Sequence, residues 1–266
     1  MSRIDTAHKD SPAASVYEGG GWFETFRIGF PAILVRHPAA TLLIDTGLGI
    51  HAREQFAKNP FWWRAILSFE QTASTRAVLD SAEPELDIDL VVPTHLHWDH
   101  ASGLPDFPDA EVYVTFGELD YARTHDRPQV VAEEFAARQE SLRYIAFDNG
   151  PYETFEASHD IFGDGRVIVV PLPGHTPGSI GVFVNLDSGR RLFFSGDLTW
   201  SLEALKLGAE KPWFTRRIVD SHRKDLADSM SRVRALMRQH PELIVLPAHD
   251  QAAMEAALPE FPDALD

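Results

Sequence analysis

The 266-residue sequence contains no cysteine. This absence excludes disulfide bonds, thiolate nucleophiles, iron–sulfur clusters and every zinc site built on cysteine, so any metal ion must be held by nitrogen and oxygen atoms. Long apolar runs are also missing, because no stretch reaches the roughly 18 residues that a membrane span needs. Basic residues are few: 24 Lys and Arg stand against 40 Asp and Glu, and the formal net charge of −16 argues against nucleic acid or an anionic membrane as a partner.

The chain lacks internal repeats, low-complexity tracts and long linkers, so we expect a single domain over residues 1–266. Its first residues include acidic side chains and no apolar segment of the signal-peptide kind, which favours the cytoplasm. The length and the hydrophobic content of 44% allow a large buried core.

Short runs rich in Val, Ile, Leu and Phe dominate the chain and predict β-strands. The runs are Pro31–Arg36, Thr41–Ile44, Ile88–Val92, Glu111–Thr115, Val167–Leu172, Ser179–Val184, Arg191–Ser195 and Leu243–Leu246. Helical patterns are predicted over Asp220–Gln239, around Gln129–Tyr144 and around Phe56–Leu79, the last interrupted near Pro60. Strands mixed with helices indicate sheets covered by helices in an α/β layered domain.

Four of these predicted strands are each followed within three residues by a metal-capable side chain. His95 follows the third strand and opens a run that continues with His97, Asp99 and His100, and three later strands are followed by His175, Asp197 and His249. Strand ends that share one edge of a sheet can bring such groups together. The other seven histidines are interpreted as ordinary core or surface residues. Three histidines at three given positions would arise by chance about once in ten thousand windows at this composition, so the cluster is not explained that way.

The spacing predicts two metal sites. His95 and His97 point the same way in an extended segment, so they form one ligand set with His175. Asp99, His100 and His249 form the second set, and Asp197 can lend one oxygen to each ion. We therefore expect two divalent ions, zinc first, with iron, manganese or cobalt as alternatives because nitrogen and oxygen sites accept them all.

The motifs resemble those of the metallo-β-lactamase superfamily. The resemblance rests on the His-x-His-x-Asp-His run from His95, Gly174-His175-Thr176-Pro177-Gly178, the Asp197 turn and the late His249. An early Leu43-Ile44-Asp45-Thr46-Gly47 segment is similar as well. The resemblance implies a four-layer αββα sandwich of two mixed β-sheets flanked by helices. True β-lactamases of this fold generally replace the bridging aspartate with Cys or Ser, so Asp197 argues against them.

The long interval between His100 and His175, together with Gly117-Glu118 after a strand, is similar to the N-acyl homoserine lactonase branch. That likeness implies opening of a lactone ring by a metal-bridging hydroxide. In this hypothesis Asp99 carries the proton to the departing alkoxide. Lactonases of this type have a tyrosine three residues after the bridging aspartate, and here Trp200 stands there. Its indole N–H can donate a hydrogen bond to substrate, or the ring can simply pack the pocket wall.

Two other functions stay open at this point. A thioesterase of the glyoxalase-II kind, or another ester hydrolase of this fold, would use basic residues near the site to hold a glutathione carboxylate, and Lys206, Lys211, Arg216 and Arg217 are available. A redox scaffold holding iron is the other alternative, which the full hydrolase ligand set weakens.

Several further residues carry interpretations of their own. Asp45 is expected to support the ligand loop by hydrogen bonds, although a simple turn aspartate fits equally. The partner is expected to be a small lactone or ester. One aromatic-rich group could cover an acyl chain, form a homodimer contact or lie in the core: Phe56, Phe61, Trp62, Trp63, Ile66, Leu67 and Phe69. A second group, Trp200, Trp213 and Phe214, is expected to border the pocket.

Overall fold

The computed structural model describes residues 1–61, 64, 68–125 and 139–265. Its strands, in chain order, are β1 (Ser2–Pro12), β2 (Thr25–His37), β3 (Ala40–Ile44), β4 (Glu70–Gln71), β5 (Leu90–Val92), β6 (Glu111–Val114), β7 (Leu142–Tyr144), β8 (His159–Asp160), β9 (Val167–Pro171), β10 (Ile180–Asn185), β11 (Arg191–Phe194) and β12 (Ile244–Leu246). Its α-helices are α1 (Ala52–Ala57), α2 (Thr75–Ala82), α3 (Trp98–Ala101), α4 (Phe116–Thr124), α5 (Leu202–Leu207), α6 (Trp213–Val219), α7 (Arg223–Gln239) and α8 (Gln251–Ala257). Among the described residues, no helix has both the length and the apolar character that crossing a membrane requires.

The strands form two sheets, and the chain divides into two compact units. The first sheet has the order β4-β1-β2-β3-β5-β6-β7 and the second β12-β11-β10-β9-β8. The first unit is made of Met1–Lys9, Gly29–Tyr144 and Leu258–Leu265, and the second of Asp10–Ile28 and Ile145–Ala257. The expectation of a single domain stays a prediction.

The first unit packs around a sheet with both parallel and antiparallel neighbours. Strands β2 and β3 form an antiparallel pair, whereas β3, β5, β6 and β7 run parallel to one another. The buried strand residues Leu34, Leu43 and Val91 share one hydrophobic cluster with Leu79 of α2 and Leu119 of α4. Helices therefore cover apolar strand residues, as the sequence pattern predicted.

The second unit has the same mixed character. Strands β8 to β11 pair antiparallel in turn, and β12 joins β11 in parallel. The amphipathic helix predicted from Asp220 is confirmed as α7, which begins three residues later. Its buried face of Leu226, Met230, Val233 and Leu236 packs against strand residues such as Phe183.

All eight predicted strands are confirmed, and all but β2, which begins six residues earlier than predicted, agree to within two residues at both ends. The other two predicted helices are confirmed only in part. The helical pattern around Phe56–Leu79 is interrupted near Pro60 as predicted, because α1 ends at Ala57 and residues 61 and 64 are again helical, but β4 then intervenes and α2 begins only at Thr75. Pro60 cannot continue a helix, and the Ser74 side chain caps the start of α2 by accepting a backbone N–H of its first turn.

The helix predicted around Gln129–Tyr144 is wrong at its C-terminal end. Residues 142–144 form strand β7, because Leu142 and its neighbours pair in parallel with β6. Tertiary pairing overrides a helical pattern in such a short segment. Residues 129–138 of this prediction lie outside the described part of the chain.

Candidate metal-binding site

Three histidine rings gather in the loop that follows β5 and in the short helix α3 that ends it. The centroid of the His95 ring lies 4.6 Å from that of His97 and 4.1 Å from that of His100, and all three residues are buried. Asp99 lies beside them, with its Oδ2 atom 3.8 Å from Nε2 of His100 and 15% of its side chain exposed. The first unit thus brings together four of the seven predicted ligands.

Asp45 orients this loop. It follows β3, and because β3 and β5 are parallel neighbours, their C-terminal ends lie at the same edge of the sheet. The Asp45 carboxylate accepts hydrogen bonds from the backbone N–H of Thr94 at 2.6 Å and from its hydroxyl at 3.0 Å, and it lies 2.8 Å from Nδ1 of His100. A carboxylate on Nδ1 leaves Nε2 of that ring available to a metal ion. The expected support of the loop by Asp45 is confirmed.

Glu118 holds the same loop from α4, a role that sequence reasoning missed. Its buried carboxylate accepts the backbone N–H of Leu96, which lies between His95 and His97, at 2.8 Å. The available signal was the spacing from Thr115, whose hydroxyl accepts the N–H of Glu118 as an N-cap. In a capping box the glutamate would turn back to its own helix, whereas here it reaches the ligand loop.

The second unit brings together the other three predicted ligands, His175, Asp197 and His249. They follow β9, β11 and β12. Strand β10 is antiparallel to both β9 and β11, so these two run in the same direction, and β12 is parallel to β11. The C-terminal ends of β9, β11 and β12 therefore lie at one edge of the sheet. Nε2 of His249 lies 3.1 Å from Oδ1 of Asp197, and Nε2 of His175 lies 3.5 Å from its Oδ2. Within this unit, convergence at a sheet edge is confirmed.

A buried carboxylate also orients His175. Oδ1 of Asp220 lies 2.7 Å from Nδ1 of His175 and 2.8 Å from the ammonium of Lys211. Burial lowers the pKa of His175, and the charge of Lys211 lowers it further. Burial raises the pKa of Asp220, but the charge of Lys211 and the bond to His175 outweigh burial, so this pKa is lowered. A neutral imidazole bonded to a carboxylate through Nδ1 presents Nε2 as a metal ligand.

Trp200 contacts the predicted bridging carboxylate. Its indole Nε1–H donates to Oδ2 of Asp197 at 2.8 Å, and its ring meets the His249 ring edge to face at 5.7 Å. Two roles were expected for Trp200. Donation of a hydrogen bond to substrate would require the same indole N–H that is bonded to Asp197. A direct role of Trp200 in catalysis stays a prediction.

The remaining candidates are the two aromatic groups and the basic residues proposed for glutathione binding. Phe56 and Phe69 are half-buried and pack on each other and on Trp98, whereas Phe61, Trp213 and Phe214 are exposed. The other members of the first aromatic group, Trp62, Trp63, Ile66 and Leu67, lie outside the described residues. The ammonium of Lys211 is bonded within the second unit, so it is not placed to receive a glutathione carboxylate.

Gly174, which precedes His175, is fixed by a close backbone approach. It has φ of +136°, and a Cβ there would lie 2.3 Å from the Cα of Leu226 in α7. We expect Gly174→Ala to lose about 2–4 kcal/mol of stability in denaturant unfolding, since both the backbone conformation and the contact oppose a side chain. The control is Gly163→Ala, at φ +73° with nothing within 4 Å of a Cβ, which should lose about 1 kcal/mol. Equal losses in the two variants would contradict the importance of the Leu226 contact.

Comparison with known proteins decides the family. Residues 31–249 match the family described as Metallo-beta-lactamase superfamily. The chain belongs to the metallo-β-lactamase superfamily. Its fold is the metallo-β-lactamase fold of the α/β class, with two mixed sheets and flanking helices, as the resemblance implied.

Similar members of the superfamily include enzymes of two kinds. The chain is 27% identical over 240 residues to the N-acyl homoserine lactonase AttM of Agrobacterium fabrum, covering 86% of this chain and 84% of that protein. It is 26% identical over 178 residues to the human acyl-coenzyme A thioesterase MBLAC2, covering 63% of this chain and 57% of that protein. A solved N-acyl homoserine lactone hydrolase, with N-hexanoyl-L-homoserine bound at its catalytic metal center, has a TM-score of 0.75 at 16% identity and covers 99% of this chain and 98% of that one.

The residues present fit the metals that this superfamily uses. Their donors are imidazole nitrogens and carboxylate oxygens, which suit zinc and other first-row divalent ions. They are held by buried carboxylates in both units, by Asp45 on His100 and by Asp220 on His175. Histidine ligands characteristically carry such a partner on the second ring nitrogen.

Proposed function

We propose that the chain is a dinuclear metal-dependent hydrolase that opens lactone rings, acting on N-acyl homoserine lactones or related lactones. The observation that carries the proposal is the pair of buried histidine–aspartate clusters, each oriented by a carboxylate from outside the ligand set. A group of this kind has no evident structural purpose, because burying so many titratable side chains is costly unless they hold something.

The proposed ligands fall into two sets. As the spacing in the sequence predicts, we assign His95, His97 and His175 to one ion and Asp99, His100 and His249 to the other. Asp197 would be shared by the two ions. When bound, the metals would polarise the substrate carbonyl and lower the pKa of a water molecule.

The protein's own side chains supply positioning and proton transfer. Asp45 and Asp220 keep the rings of His100 and His175 in the orientation that presents Nε2. We assign to the carboxylate of Asp99 the transfer of a proton to the oxygen of the departing alkoxide, because it is less deeply buried than the surrounding histidines.

The lactone substrate is supported by AttM and by the solved lactone hydrolase, both of which have matched coverage close to full length. The alternative is a thioesterase or other ester hydrolase. The likeness to the human acyl-coenzyme A thioesterase supports this alternative, although that match covers a shorter part of the chain. Of the four basic residues available to the glutathione-binding form of this alternative, Lys211 is already bonded to Asp220 and Arg216 to Glu210.

A parallel assay on one metal-analysed sample tests the function. We expect kcat/KM for acyl-homoserine lactones or simple γ- and δ-lactones to exceed that for S-lactoylglutathione, an acyl-coenzyme A and a β-lactam by at least about tenfold, which is a barrier difference of about 1.4 kcal/mol. A chelator should remove the activity and zinc should restore it. Faster turnover of a thioester would replace the lactonase proposal by the alternative, and full activity without bound metal would refute both.

Metal identity, assembly and location complete the proposal. We expect two zinc ions per chain by elemental analysis, with iron, manganese or cobalt as the alternatives. A homodimer, readable by light scattering, and a cytoplasmic location, readable by cell fractionation, are proposed on the sequence alone.

A further inference from the structure

Lys211 is a buried lysine with an unusual set of contacts. Only 2% of its side chain is exposed. Its ammonium donates to Oδ1 of Asp220 and to the backbone carbonyl of Asp197, both at 2.8 Å, and lies 5.7 Å from the centroid of the Trp200 ring. A buried ammonium is costly unless each of its interactions is well formed, so these contacts need an explanation.

Each contact of Lys211 leads to a proposed metal ligand. Asp220 is the partner of Nδ1 of His175. The carbonyl belongs to Asp197 itself, and Trp200 donates its indole N–H to the Asp197 carboxylate. The Lys211 ammonium therefore contacts the backbone of Asp197. It also contacts Asp220, the hydrogen-bonding partner of His175, and Trp200, the hydrogen-bonding partner of Asp197.

We propose that Lys211 is a positioning residue that fixes His175 and Asp197 for metal binding, acting through Asp220 and Trp200. The proposal rests on the proposed metal-dependent function. It also explains Trp200, because the indole occupies the place where lactonases of this type carry a tyrosine, and its N–H orients a carboxylate instead of a substrate carbonyl. The cation over the ring face holds the indole in that orientation.

Charge and geometry both favour this role over simple pairing. A lone Lys–Asp pair in a core contributes little net stability, because desolvation offsets the attraction. Here the lysine also caps a carbonyl in the turn that carries Asp197, so its removal loosens a ligand at its backbone and at its side chain. Removal of a residue that hydrogen-bonds to a metal ligand typically lowers metal affinity about 10–100-fold.

The test compares Lys211→Met with Lys224→Met. Lys224 is exposed on α7 in the same unit, so both variants remove one positive charge but only the first removes the network. We expect the zinc Kd, measured by chelator competition, to rise at least about tenfold in Lys211→Met and to change less than about twofold in Lys224→Met. In metal-free protein, the ¹⁵N-indole resonance of Trp200 should shift in Lys211→Met alone.

A double variant covers the case in which Lys211→Met folds poorly. Lys211→Met with Asp220→Asn removes the cation together with the carboxylate that it neutralises, so no uncompensated charge stays buried. We expect its unfolding midpoint to recover while its zinc Kd rises above that of Asp220→Asn alone. A wild-type Kd in either folded variant, or an unshifted indole resonance, would overturn the role of Lys211. Failure of the wild-type protein to bind zinc or another divalent ion would instead refute the proposed function.

Discussion

The variant His97→Ala should lose its bound metal and its hydrolytic activity together. His97 is 5% exposed, its ring lies 4.6 Å from that of His95, and the backbone between them is fixed by Glu118. Alanine removes one of the three nitrogens of the proposed first set and puts no donor atom in its place. We expect metal affinity to fall by more than about 100-fold, beyond the range known for partners outside the ligand set.

Thermal unfolding with and without added zinc measures this loss independently of turnover. A ligand that binds only the folded state raises the unfolding temperature according to its concentration relative to Kd. Zinc should therefore stabilise the wild-type protein and leave His97→Ala almost unchanged. The control is His51→Ala, because His51 is exposed and paired with Glu54. An active His97→Ala protein with a full complement of metal would remove His97 from the ligand set.

Strand-end placement was the part of the site that the sequence predicted best. Period-two apolar runs mark strands, and a metal-capable residue after each run lies at a sheet edge when the strands are parallel. In the second unit, the strands before His175, Asp197 and His249 do run in one direction. Local pattern and topology agree there, so the sequence alone was sufficient.

The supporting residues were harder to predict because their partners are distant in sequence. Asp220 was interpreted as the start of a helix, yet it bonds to His175, 45 residues earlier. Glu118 looks like part of a capping box, yet its carboxylate binds the backbone of Leu96. Such contacts depend on how helices pack on the sheet, which side-chain periodicity does not encode. Only Asp45 was anticipated, because its segment matches a superfamily motif.

Strand β1 shows a different limit of sequence reasoning. Ser2–Pro12 carries charged and polar residues at most positions, so no apolar alternation marked it as a strand. It nevertheless pairs with β4 through His8 and Glu70, and the buried Thr6 hydroxyl is bonded to the backbone of Leu48. Polar side chains satisfied by backbone partners let such a strand be buried without the hydrophobic pattern that would have revealed it.

The variant Asp99→Asn should lose turnover far more than substrate affinity. Asparagine keeps the shape of the side chain and one carbonyl oxygen, but its amide cannot take up and release a proton near neutral pH. If Asp99 transfers the proton to the leaving oxygen, kcat should fall by about 10²–10⁴-fold while KM changes little. The control is Asp120→Asn, an exposed aspartate of α4 in the same unit, which should keep wild-type kinetics.

Metal content decides how the Asp99→Asn result is interpreted, because Asp99 also belongs to the second proposed ligand set. Two ions retained with low kcat would assign the residue to proton transfer, since the metal centre is then intact. One ion lost, with activity restored by excess metal, would assign it to metal holding alone. Near-wild-type kcat with both ions bound would exclude the proton-transfer role, and the exposed 15% of this side chain would then need another explanation.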